Sequence, residues 1–302
     1  MRSVSCSSPR RWVKYWPLNK YNMETFRSES SIVKKIWGST DITLFIFAGA
    51  AAEFALNKQA DWLYFTGKLP ADPIGRLFST VHYAQEIIFT EERSALSTID
   101  RINSIHHAVE SARGIQIPET AYKDVLYMLI HYSIAAFELL ERKLNMDEKD
   151  EVVLTFRMIG ERMKLRNIPA SYGVWSRDYA KHLQQNLENG FYTKDLFKRY
   201  RKHLGAFRYF LVLEIQRMLV PGHVNELLHL GKPRIAHRVL PAYRLIRRTV
   251  IGKVLLQMMV PQRFQSQLAA MNKRNLRTTG ERVSIFKKTP GCAGHNRPEL
   301  LT

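Results

Sequence analysis

Apolar residues recur at helical spacing along nearly the whole chain, and no stretch alternates apolar with polar as a half-buried strand would. No Asn-Gly turn separates two alternating runs, so hairpins have no local signal either. Start and stop residues divide the pattern. Asp41 is placed to cap a helix to about Leu56, and Asp72-Pro73 opens another with Pro at its first position. Thr90 with Glu91-Glu92 marks a third start, and Gly114 ends that helix. Further helices read as about 120–144, 148–166, 176–189 and 194–219, followed by basic amphipathic segments at about 235–258 and 262–272. The expectation is an all-α fold: one multi-helix domain of about eight to ten helices over 31–274. Basic or polar tails, 1–30 and 275–302, flank it and read as disordered.

Three features narrow the setting. The most apolar run, Ile42 to Ala52, is far shorter than the roughly 20 residues a membrane span needs. With Gly49 and four alanines it suits a close-packed core helix instead. Cys6 and Cys292 sit in opposite tails, which fits free thiols in a reducing compartment. The opening 1–22 is Arg- and Ser-rich like a transit segment, and Met23 offers a second start. A cytoplasmic location is expected.

The formal charge of +19 is concentrated at the ends. Residues 1–22 hold five basic side chains and no acid, and 232–288 hold fourteen against Glu281 alone, leaving the body between nearly neutral. No nucleic-acid recognition module accompanies this charge, so no nucleic-acid partner is expected. From Val239 to Val260, Leu240, Leu245, Ile246, Ile251, Leu255 and Met259 alternate with Arg244, Arg247, Arg248 and Lys253. That is the pattern of a basic amphipathic helix, and it predicts peripheral association with an anionic membrane.

Dinucleotide, phosphate-loop, nucleophile-elbow and zinc-protease motifs are absent, and Glu226-Leu-Leu-His229 is a lone half of a di-iron signature. What stands out is polar residues on apolar helices. Arg76 and Thr80 lie four apart on one helix face, with Tyr83 close by. His106-His107 interrupt the next helix, and His131 lies inside Tyr127-Met-Leu-Ile-His-Tyr-Ser-Ile. A histidine in such surroundings must bond internally or ligate something.

The runs Ile46-Phe-Ala-Gly-Ala, Asp72-Pro-Ile-Gly-Arg76-Leu-Phe-Ser-Thr80, Ile105-His106-His-Ala-Val109 and Asp124-Val-Leu-Tyr-Met-Leu-Ile-His131 occur in this order. Together with Ile168-Pro169 they resemble the MpaB/rubber-oxygenase family, over roughly 40–215. The resemblance implies a helical fold around one haem b that activates O2 to oxidise or cleave a hydrophobic, isoprenoid substrate. By position it implies His106 as the iron ligand, Arg76 and Thr80 as catalytic pocket residues with Arg76 also on the haem, and His131 as a supporting residue of the cofactor pocket. His107 is an alternative ligand one residue away. Latex-clearing members carry a lysine where this chain has Ser79, so the distal side differs. The competing class is a non-catalytic helical protein that keeps the fold and binds a lipid or partner through its basic end.

Overall fold

The computed structural model describes residues 30–59 and 61–270, apart from the side chains of Asp61 and Leu63. The expected tails apart from Ser30, residues 271–274 of the expected domain, both cysteines and Met23 lie outside these residues. Thirteen α-helices and no strand occur among the described residues. In chain order they are α1 (Ile32–Trp37), α2 (Thr40–Phe54), α3 (Asp61–Phe65), α4 (Lys68–Ala71), α5 (Pro73–Phe89), α6 (Glu92–Arg113) and α7 (Glu119–Leu140). Then follow α8 (Met146–Arg162), α9 (Tyr172–Asn186), α10 (Phe191–Leu219), α11 (Gly222–Leu228), α12 (Ala236–Ile246) and α13 (Val250–Met259).

The alanine-rich helix α2 is the centre. It is buried on every side, as a helix apolar all round must be. It lies along α7, with α10 also against it. Glycine permits the α2–α7 approach: a Cβ on Gly49 would fall 2.4 Å from Cδ1 and 2.5 Å from Cε1 of Tyr132. Gly49→Ala should therefore lower stability by about 1–3 kcal/mol, the usual range for overpacking. A urea midpoint indistinguishable from wild type would mean that Tyr132 yields freely.

Local signals set most helix ends. Asp72 caps α5 by accepting from the Gly75 N–H at 3.1 Å, with Pro73 behind it. Gly114 ends α6 in the left-handed region at φ 74°. Asn145 and Glu148 form a capping box on α8. Gly205, at φ 75°, bends α10 in its middle.

Three expectations need correction. Asp41 is not a cap: Ser39 holds that position, and the Asp41 carboxylate is buried against Arg247. Thr90 closes α5 rather than opening α6, its hydroxyl donating to the Glu86 carbonyl. The basic helix expected over 235–258 is two helices, because Thr249 caps α13 by accepting from the Gly252 N–H. A side chain at Gly252 would meet the Ile246 carbonyl, so the turn is tight.

Helix α6 is anchored unevenly. Ala95, Thr98 and Ile99 are its buried residues, and Ala95 and Ile99 pack with Ile87 of α5, Ile159 of α8 and Met163 just past its end. Its second half forms an outer layer, and the paired histidines stand there.

Candidate functional site

Of the two adjacent histidines, only one turns inward. His107 is exposed, its Nδ1 2.8 Å from Glu110 Oε2. His106 packs its ring edge-on to Tyr122 of α7, with centroids 5.0 Å apart, and its Nδ1 is buried with no hydrogen-bond partner. Burial is the main reason that this imidazole lies below the ordinary histidine range. The positive charges of Arg76 and His107 push the same way, and Glu110 opposes them. A neutral imidazole with an unused buried nitrogen is suited to ligate or to accept a hydrogen bond.

Glu110 ties this corner together. Its Oε1 accepts from the Ile117 N–H at 2.9 Å and from the Tyr122 hydroxyl at 3.5 Å. Burial works against its charge, but these donors and His107 hold the carboxyl below its usual range. The loop after α6 is thereby fixed to the helix beside His106. A surface groove runs along His107, Glu110, Ser111, Gly114, Ile115 and Gln116.

Arg76 and Thr80 stand on α5, which packs against α6. Arg76 is exposed, yet its charge reaches His106. The Thr80 hydroxyl donates to the Arg76 carbonyl at 3.1 Å, and Ser79 makes the equivalent bond to Gly75 at 3.0 Å. Both are the back-bonds that short hydroxyls make inside helices.

His131 belongs to another neighbourhood. Its Nε2 lies 3.4 Å from the Leu219 carbonyl, and its ring contacts Tyr132 and Tyr179, with centroids 4.8 and 5.1 Å away. Burial pushes its pKa down to about 4, so it is a neutral core imidazole at pH 7. The structure thus sets Arg76 and His106 on two helices packed together, within electrostatic reach of each other, and His131 in the interior.

That interior holds groups the sequence did not single out. Glu53 Oε2 accepts from the hydroxyls of Tyr132 at 3.0 Å and Tyr179 at 2.6 Å. Beside it, Asp124 receives His182 and Asn57, with Asn186 at 3.3 Å, and Tyr127 donates to Asp178 at 2.6 Å. These bonds join α2, α7 and α9. The only sequence signal was a carboxylate ending an otherwise apolar helix.

An all-α domain with an inward-facing, unpartnered histidine near its surface and a carboxylate–tyrosine network in its core places its chemistry between helices. The match to known families gives that class a name. Residues 38–252 match the family described as "ER-bound oxygenase mpaB/B'/Rubber oxygenase, catalytic domain", and the chain belongs to it. Membership supports an oxygenase-type function. No curated protein and no solved structure matches the chain.

Proposed function

We propose that the protein is a haem-dependent oxygenase of this family, acting with O2 on a hydrophobic, isoprenoid-class substrate. The observation that carries the reading is the buried, unpartnered Nδ1 of His106. Among the described residues no group of three or more His, Cys, Asp or Glu side chains is arranged for a metal ion. An iron centre relying on a single imidazole needs its other ligands from a macrocycle, which is the donor set of a haem protein with a proximal histidine. Haem b, when bound, supplies the O2 chemistry.

The chain's own residues then have distinct tasks. His106 would ligate the haem iron, and its neutrality at pH 7 means that no proton would have to leave first. Tyr122 fixes the ring's tilt from α7. Arg76, exposed on α5 and within electrostatic reach of His106, would pair with a carboxylate of the haem, which a planar guanidinium binds in bidentate fashion. Thr80 keeps its lone pairs available on the same face. His131, from the interior, braces Tyr132 and Tyr179 rather than meeting the ligand.

His106→Ala should abolish the Soret band and the bound haem of the purified protein while leaving far-UV helicity as in wild type. His107→Ala, at an exposed position, should keep both. Undiminished haem in His106→Ala, or a wild-type protein that takes up no haem when supplied with it, would overturn the assignment.

A further inference from the structure

The outer face of α13 is apolar and bare. Val250, Ile251, Val254, Leu255 and Met258 are 40–75% exposed, although helices of folded domains turn such residues inward. The inward stripe is Gly252, Leu256 and, just past the helix, Val260. At 3.6 residues per turn, the five exposed residues fall within an arc of about 140° opposite that stripe. Leu245, at the end of α12 and five residues before Val250, is 82% exposed.

Charge says what covers it. Between 232 and 270 the chain has eight Lys or Arg and no Asp or Glu. Not all of this charge is available. Arg247 is buried in bonds to Asp41 and Glu141, Arg244 donates to the Glu138 and Glu141 carbonyls, Arg248 pairs with Glu141, and Arg263 pairs with Asp72. Lys232, Arg234, Arg238 and Lys253 remain exposed, with Lys253 at the border of the apolar arc. An exposed apolar helix face with Lys253 at its edge, and with only basic charge in the surrounding 232–270, matches the headgroup–acyl boundary of an anionic bilayer.

We propose that α13 and the end of α12 form a membrane-docking face: Leu245, Val250, Ile251, Val254, Leu255 and Met258 enter the interface of an anionic bilayer, and Lys253 and Arg238 meet its headgroups. The arginines that sequence alone picks out, Arg247 above all, belong to the fold. This inference stands independently of haem binding. None of the helices of the described residues is long and apolar enough to cross a membrane.

The test is flotation of the full chain with phosphatidylcholine vesicles, alone or containing phosphatidylserine, across a salt series. Wild type should float with the phosphatidylserine vesicles and lose most of its binding at high salt, since exposed charges are screened. Ile251→Asp with Val254→Asp should weaken binding at least tenfold. Arg238→Glu with Lys253→Glu should do so by a similar factor, each cation near the surface being worth about fivefold. Unchanged far-UV helicity and thermal midpoints would show that the variants fold, and Leu245→Asp supplies an independent one. No flotation of wild type, equal flotation on both vesicles, or flotation unaffected by the aspartates would overturn the proposal. So would a concentration-dependent dimer that the aspartates abolish without any vesicle binding, because a second copy would then cover the ridge.

Discussion

Arg247→Ala should destabilise the protein by about 3–5 kcal/mol, the cost of leaving one member of a buried ion pair alone. The guanidinium is 4% exposed and reaches Asp41 through Nε and Nη2, each at 2.7 Å, Ser39 Oγ at 3.1 Å, and Glu141. Burial works to raise the Asp41 pKa, but the bonds and charge of Arg247 outweigh it and hold the carboxyl below its ordinary 3.8. That stabilisation is present above the unfolded value and is lost as pH falls through the folded one. Without Arg247 the shift reverses, because only Tyr243, Ser39 and the Ile42 N–H still donate to Asp41. The deficit should therefore be largest at neutral pH and shrink on acidification. Arg247→Lys should recover only part, having no planar fork. Combining Arg247→Met with Asp41→Leu should recover more, since a buried pair replaced by apolar groups is often neutral. Urea midpoints at neutral and acidic pH read all three comparisons. A single-variant deficit below about 1 kcal/mol would show that water reaches Asp41.

This pair also explains what the sequence could and could not disclose. Asp41 and Arg247 are 206 residues apart, and each was open to a local explanation, a cap for one and a basic helix face for the other. Where the deciding interaction is local, the reading carries through to the structure. Asp72-Pro73, Gly114 and the alanine-rich α2 all do what their residue types require. The break before Val250 was local too, since Thr249 and Gly252 are a cap and its target N–H within four residues. The long amphipathic pattern hid it. Family resemblance pointed to His106, and the structure adds the physical distinction from His107, one buried and one exposed. His131 was conspicuous for its apolar surroundings, but its contacts to Tyr179 and Leu219 depend on how α7, α9 and α10 meet. Glu53 was silent for the same reason, its partners lying 79 and 126 residues away.

Glu53 is where the interior should answer to pH. The carboxyl is 3% exposed, and burial raises its pKa from 4.5 to about 8, with Asp124 adding to the rise and the two tyrosine hydroxyls opposing it. A raised carboxyl means that the folded state binds a proton the unfolded state has released. Its stabilisation is complete below 4.5 and is lost as pH rises toward about 8. His131, lowered from 6.5 to about 4, acts in the opposite sense: its contribution is present above 6.5 and is lost on acidification. The two overlap below 6.5, so the window between 6.5 and 8 isolates Glu53. There the stability of wild type should fall with a slope of up to about 1.4 kcal/mol per pH unit, the value for one proton. Glu53→Gln keeps a carbonyl acceptor for Tyr132 and Tyr179 without an ionisable proton, so it should flatten that slope and unfold later than wild type at pH 8. Glu53→Ala leaves two buried hydroxyls unpaired beside a cavity and should cost about 2–5 kcal/mol at any pH. Parallel slopes for wild type and Glu53→Gln would mean that the carboxylate is already ionised at pH 6.5. Tyr132 and Tyr179 would then be serving a buried charge, and the α2–α7–α9 interior would need a counter-ion supplied from elsewhere.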